Sequence, residues 1–178
     1  MIEITYVQLL FGITLLWVLT RLIVGVKNKR FSIKRELQLL LVYICIIVIA
    51  RFVYFGFHLE HGHLATMKFG LDEDSDVVYS LIPFFFLVDR YDGWLMNIIG
   101  NITMFIPVGI VWPVCFKKLD TIWKTVLAGA GFTLSIEVSQ LLCPERHTDI
   151  DDLILNTIGV LIGALIVFGI RKCKKEKV

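Results

Sequence analysis

Long apolar stretches separated by short charged ones set the plan of this chain. Five stretches are long enough to cross a hydrocarbon core about 30 Å thick at roughly 1.5 Å per helical residue. They run over Ile4–Val26, Leu37–Phe57, Gly93–Pro113, Thr121–Leu142 and Asp151–Ile170. The pattern predicts an all-α, polytopic membrane helix bundle of about five transmembrane helices. A sixth apolar run, "VVYSLIPFFFLV" (77–88), is too short to span, and its Tyr and Phe residues suit the headgroup boundary. It is expected to be re-entrant or interfacial.

Composition strengthens this reading. The 178 residues are 57% hydrophobic, above the usual 45–50% of soluble domains, and the mean hydropathy is +0.77. The expected organisation is two N-terminal helices (1–57), a loop carrying the short apolar run (58–92), a core of three helices (93–170) and a basic tail (171–178). The first residues lack a basic leader and a small-residue cleavage site, so the first helix is expected to be retained. No pair among the four cysteines is placed for a disulfide.

The net charge of +2 says little, but the distribution of charge says more. Lys27, Lys29, Arg30, Lys34 and Arg35 fill the first connection, Lys117, Lys118 and Lys124 surround the third, and Arg171, Lys172, Lys174, Lys175 and Lys177 end the chain. With five spans these places share one side, which the excess of basic residues makes the cytoplasm. The N-terminus, 58–92 and 143–150 are then outside, with most acids and all four histidines. Basic residues at membrane boundaries call for no nucleic-acid partner; the expected partner is the lipid bilayer.

That topology makes the polar residues within the spans interpretable. Asn97 and Asn101 lie four apart in the outer half of the third span, and Glu137 and Gln140 lie three apart near the outer end of the fourth. Asp152 and Asn156 lie four apart at the outer start of the fifth. Charged side chains in a membrane are costly and usually face the bundle interior with partners. Small residues permit close approach: Gly159 and Gly163 continue the Asp152–Asn156 face, and Gly131, Ser135 and Ser139 recur every four residues. Pro107 removes a helical donor and frees the Thr103 carbonyl. A polar pocket facing the outer leaflet is expected; the competing reading is that these groups simply hold helices together.

The segments "NIIGNITMFIPVG" (97–109), "SIEVSQ" (135–140) and "RHTDIDDLILNTIGVLIG" (146–163) resemble the VanZ-like family of bacterial membrane proteins. "SLIPFF" (80–85) resembles that family's N-L-I-P-F element, with Ser80 in place of the usual Asn. The resemblance covers roughly residues 77–165 and implies a role in resistance to glycopeptide antibiotics of the teicoplanin type. It selects Arg146, Asp149 and Asp152 over His147 and Asp151.

Several chemistries fit these residues. A binding protein would use Arg146, Asn97, Asn101, Gln140 and Asn156 to hold a lipid-linked cell-wall precursor or a lipid headgroup, with Arg146 forking onto phosphate. A membrane enzyme would add Glu137, Asp149 and Asp152 as catalytic acid and base groups. A transporter or flippase is the third class, but no internal duplication supports it. Two ligand sets could hold a metal, nitrogen from His58, His61 and His63 with Glu60, or oxygen from Glu145, Asp149, Asp151 and Asp152. Outer loops are ordinarily acidic and His is common at interfaces, so no metal is assigned and the cofactor is left open.

Overall fold

The computed structural model describes residues 1–28, 32–55, 59–60, 63–64, 66–70, 79–80, 82–84, 93–144 and 148–175. Five helices dominate it: α1 (Tyr6–Asn28), α2 (Ile33–Phe55), α3 (Trp94–Cys115), α4 (Ile122–Gln140) and α5 (Ile150–Lys175). All but α4 are long and apolar enough to cross a membrane. The chain is therefore an all-α, multi-pass membrane protein, as its hydropathy pattern predicts.

Local chemistry sets several helix starts. The Thr5 hydroxyl accepts from Gln8 N at 3.3 Å while Gln8 Oε1 accepts from Thr5 N at 2.8 Å, a reciprocal cap that starts α1. Thr121 caps α4 by accepting from Lys124 N at 3.2 Å. Pro107 and Pro113 lie inside α3, which continues through both.

The tightest packing joins α3 to α5. A Cβ added to Gly109 would collide with the Val160 carbonyl, one on Gly159 with the Ile102 carbonyl, and one on Gly163 with the Ile106 carbonyl. The backbones touch, as small-residue membrane interfaces allow. The order of these contacts, 102 with 159, 106 with 163 and 109 with 160–164, makes the two helices parallel. Two neighbouring parallel spans joined by one helix need that helix to return across the same layer. The return is α4: Asn156 meets Thr133 and Gly129 meets Val160, an antiparallel order against α5. At about 1.5 Å per residue its 19 residues reach roughly 28 Å. Its lower hydropathy reflects Lys124, Glu137 and Gln140, of which the last two are buried against the bundle.

Phe105, Val108, Ile136 and Val160 form the core with Cys45 and Ile49 of α2. Helix α1 sits outside this core. It meets α2 through Thr14 Oγ1 and Tyr43 Oη (2.7 Å), through Trp17 stacked near Tyr43, and through Arg21 forked onto Glu36 at 2.9 and 2.5 Å. Arg21 is thus paired within the membrane-facing helices. Phe11, Leu16 and Ile23 of α1 point outward, which suits contact with lipid.

At one end of the bundle a small ribbon pairs β1 (Ile2–Ile4) antiparallel with β4 (Met67–Phe69). Two shorter strands, β2 (Leu59–Glu60) and β3 (His63–Leu64), pair nearby in sequence, and β5 (Tyr79–Ser80) pairs parallel with β6 (Thr148–Asp149). Ile4, the expected start of the first span, lies in strand β1 instead. It extends because Ile2–Ile4 gains ladder bonds to 67–69 before the Thr5 cap starts α1.

Candidate functional site

The polar site lies where the N-terminal halves of α3 and α5 meet the C-terminal half of α4. Asn101 Nδ2 on α3 donates to Asp152 Oδ1 on α5 at 2.5 Å and to Asn97 Oδ1 one turn earlier at 3.2 Å. On one face of α3, Asn97 thus accepts from Asn101, and Asn101 binds the carboxylate of α5. The α3–α5 seam of touching glycines begins below this contact and fixes the distance between the helices.

Helix α4 supplies Glu137 and Gln140, both buried. Glu137 Oε2 accepts from the Asp149 backbone N–H at 3.3 Å, tying the end of α4 to the strand that precedes α5. The carboxylates of Glu137, Asp149 and Asp152 lie close enough to feel one another's charge. One turn deeper, Asn156 Nδ2 donates to the fully buried Thr133 hydroxyl at 2.8 Å. Among the described residues, three buried side-chain atoms lack a hydrogen-bond partner: the acceptors Asn156 Oδ1 and Gln140 Oε1, and the donor Trp112 Nε1 in the other half of α3.

Two neighbouring acids have different work. Asp149 Oδ1 accepts from Asp151 N at 2.9 Å, the bond of a helix N-cap, and its charge suits the positive end of α5. Asp151, which the sequence reading passed over, is 3% exposed and accepts from the backbone N–H of Phe84 at 2.6 Å. Phe84 has φ 62°, an uncommon left-handed value for a bulky side chain. Together with the β5–β6 pairing, which sets Ser80 opposite Asp149, this bond docks the S-L-I-P-F segment on the start of α5. The segment expected to be re-entrant or interfacial is thus a strand and turn where it is described. Nothing local to Asp151 signals a partner 67 positions away.

Of the sequence-selected residues, Asn97, Asn101 and Asp152 meet directly, Glu137 and Asp149 join through a backbone bond, and Asn156 sits beneath them with Thr133. Gln140 is buried on the same face of α4 as Glu137. Arg146 lies outside the described residues, as do His58, His61 and Glu145. Arg51 of α2 has its guanidinium 5.7 Å from the Tyr6 ring centroid and 5.6 Å from that of Phe52. The small-residue row of α4 also differs from expectation: Gly131 has open space beside it, and Gly129 makes the close approach, to Val160.

Chemically, the site gathers carboxylate and amide oxygens, all hydrogen-bond acceptors, in a buried place. Such a set favours a ligand that brings donors, such as sugar hydroxyls, amines or amide N–H groups. A phosphate would need a cation beside these carboxylates, and Arg146 is the nearest in sequence to Asp149.

The VanZ/LLP1 family model matches residues 39–171, about three-quarters of the chain. No curated protein and no solved structure matches it.

Proposed function

Since the chain belongs to the VanZ/LLP1 family, we propose that it modulates susceptibility to teicoplanin-type glycopeptide antibiotics at the bacterial cell surface. It does so by binding a lipid-linked cell-wall precursor or a lipid headgroup in the polar site at the ends of α3, α4 and α5. The N-terminus faces outside and the basic tail faces the cytoplasm, which puts the site in the outer leaflet where such ligands are exposed.

The observation that carries this reading is the pair of buried acceptors, Gln140 Oε1 three residues past Glu137 on α4 and Asn156 Oδ1 one turn past Asp152 on α5. A buried acceptor left unmet costs about 1–3 kcal/mol, and helix packing alone gives no reason to keep two of them. A headgroup with hydroxyl or amide donors supplies what they lack, and Arg146 takes its phosphate.

The proximity of Glu137 to Asp152 favours a second reading, an enzyme that modifies the same ligand with these two as acid and base. One experiment separates the two. Cells carrying the wild type, Asp152→Asn or Asn101→Ala at matched membrane levels are tested for teicoplanin susceptibility, and their lipid-linked precursors are profiled by mass spectrometry. Lost protection in the variants with an unchanged precursor profile supports binding. A species present only with the intact site supports catalysis, and full protection by both variants removes the site from the function.

A further inference from the structure

A second recess lies on another side of α4. It has a volume of about 470 Å³ and is partly open. Its walls come from α1, α2, α4 and the β1–β4 ribbon, and its lining is largely apolar, including Ile13, Ile49, Phe132 and Met67. Ser135 and Ser139 line it from α4 while Glu137 and Gln140 do not, so the recess and the polar site occupy different faces of that helix.

Its length is informative. Along α2 the lining runs from Ile46 to Tyr54, about 12 Å of helix at 1.5 Å per residue. The ribbon residues Met67 and Phe69 close it above, so the recess covers most of the roughly 15 Å that one leaflet contributes to the hydrocarbon core. The polar groups of the lining cluster toward that end: the Tyr54 and Ser139 hydroxyls are hydrogen-bonded to each other beneath the ribbon. The outer wall is α1, which buries none of its apolar window within the protein. A slot with these properties, one leaflet deep, apolar below and hydroxylated above, matches one hydrocarbon chain whose polar end is at the membrane surface. Its volume falls within the 300–1,000 Å³ typical of small-molecule sites.

We infer that this recess is a lipid-chain site, holding one fatty acyl chain of a phospholipid from the leaflet on the capped side. Phospholipid chains are the solvent of this region, so mass action favours them over scarcer lipids. The chain enters beside α1, lies against Ile49 and Phe132, and sets its ester near the Tyr54–Ser139 pair.

The test uses the full chain in vesicles of phosphatidylethanolamine and phosphatidylglycerol, with a trace of phosphatidylglycerol carrying a diazirine in one acyl chain. After illumination, labelled positions are mapped by mass spectrometry. The expected labels fall on Ile49, Phe132 and their neighbours in the lining. Filling the recess with Ile13→Trp or Ser135→Phe lowers that labelling roughly tenfold. Val18→Trp, on the exposed side of α1 and absent from the lining, leaves it unchanged. Asp152→Asn also labels as the wild type does, so failure of the polar-site reading leaves this result intact. Labelling confined to outward faces, or unchanged in both filled variants, overturns the inference. So does lining labelled by a photoreactive polyprenyl phosphate but not by the phospholipid.

Discussion

Helix α1 and the α3–α5 seam are both apolar, both carry glycines and both sit in a membrane, yet the fold treats them oppositely. At the seam, Gly109, Gly159 and Gly163 each press on a neighbouring carbonyl, and no side chain fits. On α1, Gly12 and Gly25 have open space around them. The family match begins at residue 39 and so leaves α1 outside while including the whole seam. A glycine in a membrane helix therefore signals close approach only when the facing element brings its backbone, or as at Gly129 a packed side chain, against it. The polar residues follow the same division: those of α3, α4 and α5 meet one another across helices, whereas among the described residues α1 meets α2 through the Thr14–Tyr43 hydroxyls, the Arg21–Glu36 ion pair and Arg51 over the Tyr6 ring.

The largest effect that tests this contrast comes from adding a side chain on each side of it. Gly163→Val forces two backbones apart and is expected to cost more than the 1–3 kcal/mol typical of overpacking, about enough to leave little folded protein. Gly12→Val should stay within about 0.5 kcal/mol of the wild type. Thermal melting in detergent reads both, and equal melting would remove the seam as the organising contact.

Next in size is the cross-helix polar contact. A double-mutant cycle on Asn101→Ala and Asp152→Ala should give a coupling of about 1.5–3 kcal/mol, because the acceptor is ionisable and largely enclosed. The same cycle on Thr14→Ala and Tyr43→Phe should give about 1 kcal/mol or less, as for a neutral pair on the periphery. Similar couplings would erase the distinction between the two regions.

Smaller still is the cap that starts α5. Asp149→Ala should destabilise by about 1 kcal/mol, and Asp149→Asn, which keeps the accepting oxygen, by a few tenths. Asp149→Asn as damaging as Asp149→Ala would show that charge, not the cap bond, matters there. The smallest effect belongs to α1: Arg21→Ala should cost about 1 kcal/mol or less, since the pair with Glu36 is partly exposed.

Most of the helical frame was legible in the sequence, because hydropathy acts locally. The expected Gly93–Pro113 and Thr121–Leu142 became Trp94–Cys115 and Ile122–Gln140, shifts of one or two residues at each end. The meeting of Asn97, Asn101 and Asp152 was legible too, since i, i+4 spacing and alternating spans put them at one depth. Three features were not. The β1–β4 ribbon joins segments more than sixty residues apart, and no turn signal links them. Asp151 looks like its neighbours until a backbone N–H from Phe84 selects it. The choice of Gly129 over Gly131 depends on how α4 is rotated about its axis, which small-residue spacing alone does not fix.

The central claim is that Glu137 and Asp152 serve a ligand and do more than hold helices together. Glu137→Gln tests it most directly, because the amide keeps an oxygen that can accept from Asp149 N–H while its other position becomes an NH2 group that cannot act as an acid or base. The measurement is teicoplanin susceptibility at matched membrane levels, paired with melting of the purified variant. A variant that melts within a few degrees of the wild type and no longer protects is the predicted result. One that melts normally and protects fully would contradict the account.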